Sequence, residues 1–157
     1  MKKINVGHEQ FALVDDDDFD WITKWRWHLN QQGYAVRKVY INGRKGGSYR
    51  VAMHRVIAGT PENMHTDHIN GDPLDNQKSN LRVCTNKENM KNRKLNSNSS
   101  TGYKGVHLHT KLKKWVARIG VDGKRIHLGV YDTPEAAALA YNAAALKYHG
   151  EYARLNK

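Results

Sequence analysis

T-D-H-I-N-G-D-P-L-D-N-Q-K-S-N-L-R-V-C-T-N-K-E-N, residues 66–89, is the stretch around which the rest of the chain is best understood. A histidine stands beside a carboxylate at Asp67-His68, at the end of a short apolar segment. The residues that follow at 71–76 are rich in turn formers and predict a loop. Residues 80–83 then predict a second strand that returns beside the first.

A helix is predicted after this second strand. Thr85 and Glu88 have the spacing of a capping box, in which each side chain accepts a hydrogen bond from an otherwise unpaired backbone N–H. Asn89 therefore falls in the first helical turn. The order strand, loop, strand, helix, with His68, Asn80 and Asn89 in it, resembles the HNH nucleases, whose ββα unit binds one divalent metal ion.

The resemblance implies a role for each of these residues. Phosphodiester hydrolysis needs a base for the attacking water and a cation for the charge on the phosphate and leaving oxygen. A neutral imidazole at His68 suits the base, and the oxygens of Asp67 and Asn89 suit a hard cation such as Mg²⁺. Asn80 would act indirectly, holding the loop through side-chain hydrogen bonds.

Two points stay open within this resemblance. The last position is often His in the family, whereas here it is Asn89, as in phage intron-encoded HNH endonucleases, so Mg²⁺ and Mn²⁺ are both candidates. Considered without Asp67, Asn80 and Asn89, a histidine such as His68 is more often structural than catalytic. The alternative function is a DNA-binding regulator with a catalytically silent HNH fold.

Composition narrows the class of protein. Of the 157 residues, 39% are hydrophobic and 26% are charged, which suits one or two small domains. No apolar run is long enough for a membrane span and no signal peptide is visible, so we expect the cytoplasm of a bacterial or phage-infected cell and no membrane partner. The single cysteine, Cys84, excludes an internal disulfide and a Cys-rich zinc site, and we interpret it as a small core residue.

The positive charge is unevenly distributed. Residues 1–90 carry 13 Lys and Arg against 11 Asp and Glu, whereas residues 91–157 carry 13 against 4. The C-terminal part therefore carries most of the excess charge expected of a polyanion-binding protein. An RNA-binding or ribosome-associated protein would show the same sign of charge, so the partner needs further argument.

The N-terminal segment, residues 4–50, is predicted to be rich in β-structure. The run Asp15–Asp18 is interpreted as a solvated turn rather than a second metal site, because adjacent carboxylates repel. The aromatic cluster is interpreted as the core of a small sheet rather than a base-stacking platform; its members are Trp21, Trp25 and Trp27, with Ile22 and Leu29.

A hairpin and a short helix are predicted next. Residues 34–41 form a strand, Asn42-Gly43 is a strong turn signal, and the partner strand lies near 48–51. Residues 53–59 form a helix that ends at a glycine. His54 on this helix is either a structural histidine packed against the nuclease unit or a phosphate contact.

A basic linker is predicted at residues 91–101, where Lys91, Arg93 and Lys94 are followed by Ser and Asn residues. This composition is typical of a flexible segment. The three cations can also neutralise DNA phosphates, and both roles are compatible.

Residues 102–157 predict a second domain. Strands at 103–109, 114–121 and 125–131 are followed by a helix capped by Thr133 and ending at His149-Gly150. The pieces Y-K-G-V, W-V-A-R-I, L-G-V-Y-D-T, A-A-A-L-A-Y and A-R-L-N within 103–156 resemble the APETALA/ethylene-response-factor DNA-binding domain. The Asp122-Gly123 pair predicts a type I′ turn between the last two strands.

Strand alternation predicts which face of this sheet meets DNA. The side chains placed toward the helix are Val106, Leu108, Trp115, Ala117, Ile119, Ile126, Leu128 and Val130. The opposite face is cationic and rich in histidine: His107, His109, Lys114, Arg118, Arg125 and His127. By resemblance, Lys104 and the members of this face other than Lys114 match the DNA-contacting positions of the family, and the alternative is a solvated basic face without a DNA role. Several arginines and one tryptophan of the plant pattern are His or Gly here, so the plant target sequence does not carry over.

Together these features predict an α+β protein. A ββα-metal HNH nuclease domain with a β-rich N-terminal segment spans 1–90, a basic linker 91–101, and a three-stranded antiparallel sheet packed on one helix 102–157. The predicted activity is metal-dependent hydrolysis of double-stranded DNA by a homing-type endonuclease. Nicking and double-strand cutting by a dimer are both open, and no obligate protein partner is evident.

Overall fold

The computed structural model describes residues 1–42, 46–95 and 99–157. The chain divides into two compact units, residues 1–89 and 90–157, each described separately below. Small antiparallel sheets and short helices make up both units, which agrees with the predicted α+β class. Gly43 of the predicted hairpin turn and residues 96–98 of the predicted linker lie outside the described residues, and the proposed domain boundaries stay predictions.

The first unit contains three small antiparallel sheets. The elements in chain order are β1 (Lys2–Gly7), β2 (Gln10–Val14), α1 (Asp16–Ile22), β3 (His28–Leu29), β4 (Ala35–Tyr40), β5 (Ser48–Ala52), α2 (Met53–Ile57), β6 (His65–His68), β7 (Leu81–Cys84) and α3 (Asn86–Lys91). Strand β1 pairs with β2, β3 and β5 flank β4, and β6 pairs with β7. A short 3₁₀ turn, Lys78–Asn80, leads into β7.

One apolar core joins these elements. Its buried members are Ile4, Val6, Ala12, Val14, Ile22, Trp27, Ala35, Met53, Ile57 and Leu81. Burying a Val, Ile, Leu or Met side chain contributes about 1.5–3 kcal/mol, so this cluster is the main stabilising term of the unit. Leu81 belongs to β7, and the core therefore fixes the β6–β7 hairpin against the N-terminal strands.

The N-terminal strands also bond directly to the loop between β6 and β7. The amide of Leu13 donates to the carbonyl of Leu74 at 2.8 Å, and the amide of Asn76 donates to the carbonyl of Leu13 at 2.9 Å. Asp15 extends this contact, because its carboxylate accepts from the Lys78 amide at 2.8 Å. The β1–β2 sheet thus supports the loop through direct hydrogen bonds.

The predicted solvated turn at Asp15–Asp18 is partly wrong, because Asp16 and Asp17 are exposed but the run begins a helix. Asp15 is the residue before α1 and the other three form its first turn, where carboxylates are stabilised by the helix dipole. Asp18 is only 3% exposed, and it accepts from Lys78 Nζ at 2.8 Å and Trp21 Nε1 at 3.1 Å. The adjacent carboxylates repel each other less in a helix, because successive helical side chains point in different directions.

The interpretation of the tryptophan cluster as a sheet core is also partly wrong. Trp27 is buried and donates from Nε1 to the Ile22 carbonyl at 2.8 Å. Trp21 and Ile22 lie on α1 rather than on a strand. Trp25 is 37% exposed and packs edge-on against Trp21, with the Arg37 guanidinium 4.4 Å from its ring centroid.

Several local predictions are confirmed. Strand β5 begins at Ser48, helix α2 is followed by Gly59 at φ +58°, and β6, β7 and α3 follow in the predicted order. The capping box forms as expected. The Thr85 amide donates to Glu88 Oε2 at 2.8 Å, and the Glu88 amide donates to Thr85 Oγ1 at 3.2 Å.

The second unit is a three-stranded sheet packed on one helix, as predicted. Strands β8 (Val106–His109), β9 (Lys114–Val121) and β10 (Lys124–Tyr131) are antiparallel with β9 in the centre, and α4 (Pro134–His149) covers one face. Thr133 Oγ1 accepts from the Ala136 amide at 3.2 Å and caps α4. Asp122 and Gly123 both have positive φ, which the predicted type I′ turn requires.

The predicted alternation fails for Val130. The register of β10 against β9 shifts between His127 and Gly129, so Val130 pairs with Val116 instead of lying on the helix-covered face. Val130 is 43% exposed, while Tyr131 takes the inward position and packs in the core. Sequence parity cannot anticipate this reversal, because one extra residue in a strand inverts every side chain beyond it.

Candidate active site and DNA-contacting sheet

The β6–β7 hairpin separates the two members of the Asp67-His68 pair. Asp67 pairs with Arg82 and His68 pairs with Leu81, and successive strand residues point to opposite faces. His68 therefore points toward the core side of the hairpin, and Asp67 lies on the other face. Both are buried, at 5% and 7% exposure.

His68 lies in an aromatic pocket formed by residues distant in sequence. The His54 ring is perpendicular to the His68 ring at 5.0 Å between centroids, and the Tyr34 ring lies 5.8 Å away. Tyr34 and His54 also contact each other at 5.0 Å. Of the two interpretations of His54, the packing of its ring on His68 and Tyr34 supports the structural one.

A hydrogen bond to Asn76 indicates the tautomer of His68. Its Nε2 lies 3.3 Å from Oδ1 of Asn76, a fully buried residue whose Nδ2 donates to the Leu74 carbonyl at 3.1 Å. Because that donation turns Oδ1 toward the imidazole, Nε2 carries the proton and the lone pair of the neutral ring is on Nδ1. Burial lowers the pKa of His68 below 6.5, more strongly than Asn76 and the carboxylates of Asp67, Asp72 and Asp75 raise it.

Asn80 holds the loop between the strands. Its Oδ1 accepts from the Asn70 amide at 3.0 Å, and its Nδ2 donates to Asn70 Oδ1 at 3.1 Å and to the Asp75 carbonyl at 2.8 Å. The side chain is 8% exposed, so these bonds replace water contacts. The loop carrying Asn76 is therefore anchored on both sides, by Asn80 and by the Leu13 backbone.

Asp67 forms a buried ion pair. Its Oδ2 accepts from Arg82 Nε at 2.9 Å and Nη2 at 2.6 Å, with both side chains 13% exposed or less. The Arg82 guanidinium is thus bonded to Oδ2 of the carboxylate to which the resemblance assigns the metal ion. Removing either partner would leave an uncompensated buried charge.

Asn89 and Cys84 lie close to this ion pair. Asn89 is half-buried in α3, and its backbone N–H donates to the Thr85 carbonyl at 3.0 Å. Burial raises the pKa of Cys84 and the Asp67 carboxylate adds to this effect, so the thiol is protonated at neutral pH. Within residues 1–42, 46–95 and 99–157, no group of three or more His, Cys, Asp or Glu side chains could hold a metal ion. Mg²⁺ can be bound through one or two carboxylates with waters and substrate phosphates, so a site of Asp67 plus the Asn89 amide oxygen is chemically adequate.

The predicted DNA-contacting residues near the start of the second unit differ in exposure. Arg93 and Lys94 are exposed and Lys91 is half-buried. Lys104 is half-buried, and its Nζ donates to the carbonyls of Lys91 and Arg93 at 2.8 and 2.9 Å. Burial, with Arg154 and Arg93 nearby, lowers the pKa of Lys104 to about 8. The Lys104 ammonium is thus already hydrogen-bonded to two backbone carbonyls.

The predicted sheet residues largely share one face. His107 pairs with Val116, and Arg118 pairs with His127, which places these side chains together opposite α4. A shallow groove brings His107, Arg118 and Arg125 side by side. Burial lowers the pKa of His107, and the nearby Arg118 adds to this, so its ring is neutral at pH 7.

Two residues at the rim of this face already have partners. Lys114 Nζ lies 2.9 Å from Asp132 Oδ1, and both side chains are exposed. His109 Nδ1 accepts from the Leu112 amide at 3.4 Å. An exposed ion pair contributes little stability, and the Asp132 carboxylate would share the Lys114 ammonium with a DNA phosphate.

Comparison with known proteins agrees with both halves of this description. The HNH endonuclease family profile matches residues 51–91, and the AP2 domain profile matches residues 101–151. The HNH endonuclease L560 of Acanthamoeba polyphaga mimivirus is 32% identical over 152 residues, which covers 96% of this chain and 77% of the relative. The chain belongs to the HNH endonuclease family.

Two other relatives cover different shares of the chain. Protein 3.8 of Escherichia phage T7 is 31% identical over 120 residues, covering 76% of this chain and 98% of the relative. Dehydration-responsive element-binding protein 2D of Arabidopsis thaliana is 49% identical over 61 residues, covering 38% of this chain and 29% of the relative. An HNH nuclease domain combined with a DNA-binding AP2 domain makes this chain a nuclease that binds DNA.

Sequence reasoning missed residues of this HNH domain that the structure brings to the site. Asn76 orients His68, Tyr34 and His54 pack on it, and Arg82 pairs with Asp67. Tyr34 and His54 lie 34 and 14 positions before His68, so their contact depends on the tertiary fold. Arg82 was within reach of pattern reasoning, because antiparallel pairing puts it opposite Asp67.

None of the helices in the described part of the chain is long and apolar enough to cross a lipid bilayer.

Proposed function

We propose that the chain is a metal-dependent DNA endonuclease of homing type, with His68 as the general base and the AP2 domain as the main reader of the target duplex. The observation that carries the proposal is the bond between His68 Nε2 and Asn76 Oδ1. It orients a neutral imidazole with its lone pair on Nδ1, which is the state a base needs to accept a proton from water.

His68 would remove a proton from the water that attacks the scissile phosphorus, with Nδ1 as the accepting atom. Asn76 would stabilise the resulting imidazolium, since its Oδ1 already accepts from Nε2. Asn80 would keep the loop and Asn76 in place through its three hydrogen bonds.

Asp67 and Asn89 are the residues proposed to hold one divalent cation, Mg²⁺ or Mn²⁺, in a ββα arrangement. When bound, the cation would supply positive charge to the phosphate and the leaving oxygen. The oxygen donors fit such a cation, but Oδ2 of Asp67 is already bonded to Arg82. We therefore expect Arg82 to compete with the cation, or Asp67 to bind through its other oxygen.

A second function is favoured by the same ion pair. If Arg82 permanently neutralises Asp67, the HNH domain adds DNA contacts without cutting, and the chain is a DNA-binding regulator. The cytoplasm of a bacterial or phage-infected cell is the proposed setting for either function, and cutting of both strands would need a dimer.

A cleavage assay on supercoiled plasmid separates the two functions. The nuclease proposal expects nicking that requires Mg²⁺ or Mn²⁺, and expects His68→Ala to abolish it while the dissociation constant for duplex DNA changes less than about twofold. Absence of cleavage by the wild-type chain with any divalent ion, together with a gel shift of the same DNA, would support the regulator. Survival of cleavage in His68→Ala would reject the assignment of the base.

A further inference from the structure

Residues 21–61 of the nuclease unit contain eight Lys and Arg and neither Asp nor Glu. The net charge of residues 1–90 is nevertheless close to zero, because the acidic residues lie on either side of this segment, at 9–20 and 62–88. The acid-free segment includes the whole β3–β4–β5 sheet. Among the described residues of this segment, Lys24, Arg26, Lys38 and Arg50 are exposed, so the nuclease unit has exposed cations of its own in addition to those on the AP2 domain.

One face of this sheet places two cations directly opposite each other. Lys38 of β4 pairs in register with Arg50 of β5, and Tyr40 pairs with Ser48 two residues further along. Directly opposed residues of antiparallel strands have Cβ atoms about 4.5–5.5 Å apart, and like charges at this spacing destabilise the pair. Both side chains are exposed, and no Asp or Glu of the described residues forms an ion pair with either.

An exposed aromatic ring completes this face. Tyr40 is 46% exposed, and Lys38 Nζ lies 5.0 Å from its ring centroid. Lys38, Tyr40 and Arg50 are referred to below as the ribbon face. An unfavourable pair of cations beside an exposed tyrosine is a poor arrangement for stability, but it matches an anionic partner that approaches both strands at once.

We propose that the ribbon face binds the phosphate backbone of duplex DNA close to the cut site, as a second DNA-contacting surface on the nuclease unit. The inference rests on the proposed function for the identity of the partner. Charge complementarity selects the partner, because phosphates that lie between Lys38 and Arg50 relieve their repulsion and release condensed counterions. The contact is to phosphates and therefore positions the duplex without reading bases.

The ribbon face is rigidly connected to the candidate active site within the same unit. Tyr34, just before β4, packs on His68, and β5 runs directly into α2, which carries His54. Tyr34 and Lys38 are four positions apart along the chain, a span of about 13 Å at roughly 3.3 Å per residue. At about 3.4 Å of duplex axis per base pair, this span corresponds to about four base pairs, and we expect the contacted phosphates within that distance of the scissile bond.

The test uses the full chain carrying His68→Ala, so that binding is measured without cleavage. Dissociation constants for one target duplex are measured between 50 and about 300 mM KCl. Lys38→Gln with Arg50→Gln is expected to lower the slope of log affinity against log salt by about 1.8, at roughly 0.9 per phosphate contact. The matched control is Lys2→Gln with Lys3→Gln, which removes two exposed charges from β1 and should leave the slope unchanged.

Further measurements identify the partner and the place of contact. Neutral methylphosphonates within four base pairs of the cut should weaken binding of the parent chain, but not of the ribbon-face variant. Melting temperature checks folding and should not fall in that variant, since a repulsive pair is removed. A slope equal to that of the control, or equal competition by single-stranded RNA, would overturn the proposal. The proposed nuclease function is tested separately, and absence of plasmid nicking by the wild-type chain would contradict that function alone.

Discussion

Asn76 Oδ1 lies 3.3 Å from His68 Nε2, and this amide is fully buried and held by its own donation to the Leu74 carbonyl. The contact ties the imidazole to a loop that is bonded on one side to the Leu13 backbone and on the other to Asn80. The position of the proposed base is thus set by residues before, within and after the loop.

Replacing Asn76 by Asp should raise the pKa of His68. A carboxylate at Oδ1 favours the imidazolium, so the acidic limb of the pH–rate profile should move to higher pH. The wild-type limb should lie below pH 6.5, because burial lowers the pKa of His68. Nicking rates from pH 5 to 9 at saturating DNA measure the shift. Asn76→Ala should lower kcat about 10- to 100-fold, the usual effect of losing an orienting partner. An unshifted profile in Asn76→Asp would contradict the orienting role.

Replacing Arg82 by Gln should destabilise the first unit and increase its response to divalent cations. Asp67 would keep a buried charge without a partner, a loss of about 3–5 kcal/mol. Mg²⁺ or Mn²⁺ bound to the freed carboxylate would restore part of that stability, so the rise in melting temperature with cation should exceed that of the wild type. Thermal melts over a cation titration measure it, with Arg118→Gln of the second unit as control. An equal response in both variants would argue against a cation at Asp67.

Stability should fall in acid because of His54. Burial lowers the pKa of His54 to about 3, from 6.5, so between these values the unfolded chain binds a proton that the folded chain excludes. The contribution of the neutral His54 to the free energy of unfolding is fully present above pH 6.5, and it decreases by about 1.4 kcal/mol per pH unit as the pH falls toward 3. Urea unfolding at pH 7, 6, 5 and 4 measures this dependence. His54→Phe keeps a ring against His68 and should flatten it, whereas an unchanged slope would mean that other groups are responsible.

Gly105→Ala should unfold the second unit more severely than Gly102→Ala. Both glycines have positive φ, +74° and +71°, so both substitutions introduce similar backbone strain. Only at Gly105 would the new methyl group clash with the Tyr141 ring and the Arg118 carbonyl, whereas at Gly102 nothing lies within 4 Å. Circular dichroism melts compare the two variants, and duplex affinity should fall in step with unfolding of Gly105→Ala. Equal melting temperatures would contradict the predicted packing.

Arg118→Gln with Arg125→Gln should weaken duplex binding and reduce its salt dependence by about 1.8 in log–log slope. Both guanidinium groups line the groove with His107, on the face away from α4. Lys114→Gln is the matched control. Because the Lys114 ammonium is shared with Asp132, its removal should change the slope by less than one full phosphate contact. A larger effect from Lys114 than from the two arginines would contradict the proposed DNA-contacting face.

Local patterns in the chain were sufficient for the order of the elements around the site. Thr85 and Glu88 cap α3, and Thr133 caps α4, because these contacts are made within three residues along the chain. The motif residues Asp67, His68, Asn80 and Asn89 were recognisable for a similar reason, since all four lie in one short segment of the sequence. The basic face of the AP2 domain followed from strand alternation, which needs only a correct starting register.

Tertiary structure decided what each of these side chains contacts. The His54 and Asn76 contacts to His68 and the Arg82 contact to Asp67 depend on how hairpins and helices pack, and the bulge before Gly129 reverses the outer end of β10. The physical reason is that sequence spacing determines the direction of a side chain only within one regular element. Across elements, burial and backbone pairing choose the neighbours, and those neighbours determine the charge and tautomer of His68.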